Sequence, residues 1–129
     1  MPAFWFEGHN SHTDLFVDHL ARTGTGTLAA TADDADAVCV FERDAATHLG
    51  LALPHLRAGR AVFVDKPVAL HTDEVAAMAG AGTLTSFSTL RWAAGLDALR
   101  GSTTVRISGP ARPDDPSGYA FYAVHAVEI

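Results

Sequence analysis

Residues 37–65 read AVCVFERDAATHLGLALPHLRAGRAVFVD. The runs AVCVF (37–41) and AVFVD (61–65) are short, apolar and rich in β-branched residues, which is the pattern of strands inside a covered sheet. Between them Asp44 opens a segment that carries Leu49, Leu53 and Leu56 at helical spacing, with Pro54 predicting a kink and Gly59 a stop. Strand, helix and strand in this order form a βαβ unit, whose two strands run parallel. This unit sets the fold class as α/β.

The same alternation extends in both directions. Upstream, AFWFE (3–7) reads as a short buried strand ending at Gly8, and HNSHTDLFVDHLART (9–23) places Leu15, Phe16, His19 and Leu20 at helical spacing. Ser11 or Thr13 is expected to cap that helix and Gly24 to close it. Downstream, Thr72 is expected to cap a helix to about Ala79, followed by a strand over 83–88, a helix over 91–101 and a strand over 103–109. A polar loop, PARPDDPSG (110–118), precedes YAFYAVHAVEI (119–129), which fits helix or strand equally. Segment TLAAT (27–31) stands only five residues before AVCVF, too few for a parallel crossover between the two. It is therefore read as loop or as one arm of an antiparallel pair.

Composition narrows the partners. Nine basic against fifteen acidic residues give a net charge of −6 over 129 residues, with no basic run, so nucleic acid is not an expected partner. No 18-residue apolar stretch or charged-then-apolar leader occurs, so neither a membrane span nor a signal peptide is expected. The one cysteine, Cys39, has no intrachain partner, and a reducing cytoplasm is the expected location. Cys39 lies in an apolar run and reads as a core residue. Eight of the nine basic residues are arginine, and Lys66 is the only lysine. An ammonium retained against that bias marks a position where a guanidinium will not serve.

Four stretches in order, DADAVCVFERDAATH (34–48), AGRAVFVDKPVAL (58–70), SFSTLRWAAGLDALR (86–100) and GYAFYAVHAVEI (118–129), resemble the Gfo/Idh/MocA family of NAD(P)-dependent sugar and cyclitol dehydrogenases. The second stretch is similar to the family's strand ending in Glu-Lys-Pro, with Asp65 in the place of the glutamate. The third resembles the segment in which an Arg-aromatic pair, here Arg91 and Trp92, precedes the helix between two domains. The fourth resembles the region that supplies the family's catalytic histidine, here His125. The resemblance covers about 90 residues and implies a Rossmann-like sheet with a substrate site at its carboxyl edge.

The departures are as informative. The dinucleotide fingerprint G-x-G-x-x-G belongs after the first strand, because glycines let the backbone approach the pyrophosphate at a helix N-terminus. Here that turn is Glu7-Gly8-His9-Asn10-Ser11-His12, with one glycine. Gly24-Thr25-Gly26-Thr27-Leu28-Ala29 matches the text but follows a helix instead of a strand. The family's second and third strands are read as deleted in the short connection at 24–36, where Asp33 or Asp34 stands as a remnant of the ribose-binding acid. Relative to the family, the sheet that forms the substrate wall is reduced to residues 102–129.

Lys66 follows a strand at the edge where open α/β sheets place their sites, and with Asp65 beside it can act as acid, base or anchor. The resemblance makes His125 a proton carrier, with Tyr122 as a candidate donor and Glu128 on the same face if the segment is helical. His9 and His12 form an H-x-x-H pair in the first loop. No third ligand is fixed by spacing, so they read as pocket residues and not as a metal centre.

These observations lead to one expectation. The chain is a shortened Rossmann-like parallel sheet with helices on both faces (1–101) plus a small strand/helix remnant of a second domain (102–129) that serves as an oligomer interface. Its expected function is a small-molecule enzyme of the isomerase, lyase or cyclase type, needing no cofactor, with Lys66, His125 and Tyr122 catalytic. His9, His12, Asp65, Arg91, Trp92 and Glu128 are expected to bind substrate. An NAD(P)-dependent oxidoreductase completed by a partner subunit, and a non-catalytic partner of a full-length relative, are the alternatives. A homodimer through 102–129 is expected, because a lone strand there leaves backbone groups to pair with another chain.

Overall fold

The computed structural model describes residues 1–88, 93–104, 106 and 114–118. Five parallel strands form one sheet in the order β2-β1-β3-β4-β5. The strands are β1 (Ala3–Glu7), β2 (Thr27–Leu28), β3 (Ala37–Val40), β4 (Ala61–Val64) and β5 (Leu84–Thr85). Helices α1 (Ser11–Thr23), α2 (His48–Arg57) and α3 (Thr72–Ala81) form the crossovers. The expected α/β, Rossmann-like architecture is present.

The alternation of side chains along the strands builds two cores. Val38 and Val40 of β3 and Val62 and Val64 of β4 point to one face and are buried against Ala52 and Leu56 of α2 and Met78 of α3. Each such side chain removed from water contributes about 1.5–3 kcal/mol. The intervening positions build the other face, where Phe6, Phe41, Phe63 and Phe87 form a row with ring centroids 5.7, 5.7 and 5.0 Å apart. Phe16 of α1 packs onto Phe41 at 5.5 Å. Cys39 is buried, and desolvation pushes its thiol from 9.0 up to about 12. β1 itself is half-buried along its whole length.

Two capping expectations are corrected. Asn10, not Ser11 or Thr13, caps α1: its side-chain oxygen accepts from the His12 and Thr13 amides, and the Thr13 hydroxyl accepts from the Asn10 amide. Gly24 closes the helix in the left-handed conformation, as expected. Leu15 and His19 lie on the exposed side of α1, whereas Thr13 and Leu20 are buried. Thr72 is the first residue of α3, and His71 occupies the cap position without a side-chain bond.

The largest correction concerns residues 27–31. Thr27 and Leu28 form a strand parallel to β1, neither loop nor an antiparallel arm. Leu28 and Ala37 both lie level with Phe4, on opposite sides of β1. The connection therefore moves sideways by two strand spacings, about 10 Å, without climbing back along the sheet. That is why the short link suffices, with one 3₁₀ turn at Ala32–Asp34. In α2 the helix runs through Pro54, preceded by a 3₁₀ turn (Ala45–Thr47) that Asp44 caps. The helix expected over 91–101 is, in its described part, a 3₁₀ turn at Leu96–Leu99. The expected strand 103–109 and the segment 119–129 fall mostly or wholly outside the described residues.

Candidate functional site

β1 leaves for β2 on one side and β3 leaves for β4 on the other, so the crevice between the carboxyl ends of β1 and β3 is the topological switch point. In this chain the crevice is occupied by the protein itself. Gly8, at φ +78°, lies so close to Glu42 that an added Cβ would come within 2.8 Å of the Glu42 backbone nitrogen. The Asn10 carboxamide donates to the Phe41 carbonyl while its oxygen caps α1. Asp14 adds a negative charge to the first turn. A dinucleotide pyrophosphate needs open amides and close backbone approach at this point. The residues present do not fit that group: the room made by the one glycine is taken by Glu42, and Asn10 engages the first amides.

One strand further along, three groups converge. Asp65 follows β4 directly, its amide still on the ladder to the Val40 carbonyl at 2.9 Å. Its carboxylate is divided between two partners. Oδ1 accepts from the Lys66 amide at 2.9 Å and lies 3.9 Å from the Lys66 ammonium. Oδ2 lies 2.5 Å from Nδ1 of His12, which the first turn of α1 carries over the end of β3. The side chains of Lys66 and Asp65 are 5% and 10% exposed, and that of His12 is 36% exposed. One buried ammonium and a partly open imidazole thus share one buried carboxylate, an arrangement suited to proton transfer.

His48 fixes the loops around this group. Its ring is buried, with Nε2 2.7 Å from the Glu42 carbonyl and Nδ1 3.0 and 3.2 Å from the carbonyls of Pro67 and Val68. The Lys66–Pro67 peptide between these points is cis. Beside Glu42, the segment 114–117 is docked on the β3–α2 loop. The Ser117 hydroxyl accepts from the Ala45 amide at 3.0 Å, and Arg43 pairs with Asp115 at 2.7 Å. A cleft of about 580 Å³ lies between these segments.

Of the residues singled out in the sequence, His12, Asp65 and Lys66 come together. His9 does not join them: its ring bonds Asp14 at 2.9 Å, and both side chains are more than two-thirds exposed. Asp33 is at the surface, paired with Arg60 at 2.5 Å, and Asp34 accepts from Thr31. Arg91, Trp92, Tyr122, His125 and Glu128 lie outside the described residues. Asn10, Glu42, His48 and Ser117 were not anticipated as site-building residues. Asn10 carried a usable signal as a residue of capping type before a helical run. Among the described residues no group of three or more His, Cys, Asp or Glu is arranged to hold a metal ion. Among them also, no helix is long and apolar enough to cross a membrane.

No protein-family model, curated protein or solved structure matches the chain.

Proposed function

We propose that this chain is a small-molecule enzyme that performs redox-neutral acid–base chemistry, such as isomerisation, elimination or cyclisation, at the carboxyl edge of its sheet. The observation that carries the reading is the Asp65 carboxylate shared between His12 and the buried Lys66. The closed crevice at Gly8 and Asn10 supports chemistry without a dinucleotide, because the usual pyrophosphate position is taken by the chain itself. The resemblance to the Gfo/Idh/MocA family adds His125 and Tyr122 as further proton carriers. A homodimer joined through 102–129 and a cytoplasmic location complete the reading, the first from the lone strand expected there and the second from the single cysteine.

Titration with NADH and NADPH, followed by nicotinamide fluorescence, tests the reading. No binding is expected across the micromolar range. Micromolar affinity for either nucleotide would overturn it and favour an NAD(P)-dependent oxidoreductase. Light scattering tests the assembly: a stable monomer at micromolar concentration would remove the dimer from the proposal.

A further inference from the structure

We infer that His12 is the proton-exchanging residue of this site, that Asp65 positions it, and that Lys66 anchors the negative charge which develops, so that the substrate is a small carbonyl compound bearing a C–H bond next to its carbonyl. The inference rests on the acid–base reading above and names its substrate class.

The argument starts from hydrogen-bond inventory. An ionised carboxylate only accepts hydrogen bonds, so the 2.5 Å contact from Asp65 Oδ2 places the His12 ring proton on Nδ1. The basic lone pair of the neutral ring then resides on Nε2, the nitrogen opposite the carboxylate. Asp65 cannot easily turn away, since its other oxygen is held by the Lys66 amide at 2.9 Å. Its amide is also tied to the β3 ladder. The imidazole is thus presented in one tautomer by a carboxylate that is itself held on both sides.

The charges fit one kind of reaction. With a neutral ring, Asp65 and Lys66 cancel among these three groups. When His12 takes a proton, the trio gains one positive charge, which matches a substrate that has become an anion. An imidazole is too weak a base for an unactivated C–H bond. It suffices for one beside a carbonyl when a cation meets the enolate oxygen. In that step the C–H bond breaks, the proton goes to Nε2, and the electron pair forms the enolate double bond as negative charge moves to oxygen. Return of the proton to the neighbouring carbon isomerises the compound, and return to the same carbon exchanges it. No electron leaves or enters.

Asp65→Asn separates this role from a structural one. The Lys66 amide still needs an acceptor, so the new carboxamide presents its oxygen there and its NH₂ to His12. Nδ1 must then accept, and the ring proton moves to Nε2, removing the base. Long-range ¹H–¹⁵N spectra of the labelled chain read the tautomer directly. Proton NMR in D₂O reads loss of the C–H signals of dihydroxyacetone and pyruvate as probes. The wild type is expected to hold the Nδ1–H form and to exchange at least one probe. Asp65→Asn is expected to hold the Nε2–H form. Both Asp65→Asn and His12→Gln should lose about 100-fold or more of the exchange rate, and His19→Ala on the exposed side of α1 should lose none. An Nδ1–H tautomer in Asp65→Asn, or wild-type exchange in His12→Gln, would overturn the assignment. No exchange of either probe by the wild type would overturn the substrate class. The nucleotide titration decides the broader acid–base reading separately. Should Asp65→Asn not fold, the His12→Gln rate and the wild-type tautomer carry the decision.

Discussion

The imidazole of His12 and the carboxylate of Asp65 meet at 2.5 Å across the end of β3, a strand that carries neither of them. Their meeting depends on registers fixed elsewhere: Glu7 lies level with Val40, and Val40 with Val64. The loops that follow these residues therefore start from one line, and the first turn of α1 reaches over Phe41 to Asp65. His12 also stands edge-on to the Phe41 ring, at 6.4 Å.

Asn10 ties that first turn down. Asn10→Ala removes the cap of α1 and the donor to the Phe41 carbonyl together. A loss of about 1–2 kcal/mol in urea unfolding is expected. Asn10→Asp keeps the capping oxygen and should recover about half of it.

Gly8 and Gly24 both have positive φ, but only Gly8 has a neighbour where a side chain would go. Gly24→Ala should cost about 1 kcal/mol, from conformation alone. Gly8→Ala adds a clash with the Glu42 backbone and should cost about 3 kcal/mol or more. Paired thermal and urea unfolding of the two variants checks the difference.

His48→Phe keeps an aromatic ring, somewhat larger, and removes both nitrogens, leaving the carbonyls of Glu42, Pro67 and Val68 without this partner. The expected loss is about 2–4 kcal/mol. It should exceed the loss from truncating an exposed histidine such as His19, measured under the same conditions.

Cys39 gives the stability a slope at alkaline pH. Between pH 9 and about 12 the unfolded chain sheds the thiol proton while the folded chain retains it. Stability therefore falls as pH rises through this window, with a slope approaching about 1.4 kcal/mol per pH unit. Urea midpoints at pH 8, 9 and 10 should show the fall, and Cys39→Ala should flatten it. Native protein at pH 7.5 should resist iodoacetamide, and unfolded protein should react.

Lys66→Ala and His125→Ala are each expected to abolish turnover while circular dichroism stays native. Wild-type turnover in both would show that the proposed chemistry lies elsewhere.

The βαβ unit over 37–65 was legible because each half of its pattern has a single reading: β-branched runs of strand length around one apolar helical stripe. Gly24 and Gly59 were legible as stops for the same local reason. The parallel strand at Thr27–Leu28 was not, since its feasibility depends on β2 and β3 being level with Phe4, which only the assembled sheet reveals. The site was half legible. Lys66 and Asp65 were found from their place after a strand, but the pairing of Asp65 with His12 requires the order β1-β3-β4. The docking of Ser117 onto Ala45 depends on contacts 72 residues apart, for which a polar loop gives no address.

The crevice filled by Gly8, Asn10 and Glu42 also bears on what this sheet can be made into. An engineer seeking to install nucleotide binding at the switch point would find no single productive substitution. Replacing Asn10 gives up a cap before it opens any amide. Trimming the Glu42 side chain leaves its backbone against Gly8, and a second glycine at His9 leaves that contact unchanged. Each step back lowers stability before it returns any affinity, so the closed crevice behaves as a ratchet. None of these changes touches the Asp65 carboxylate beyond β4, which stays held between the Lys66 ammonium and the His12 imidazole.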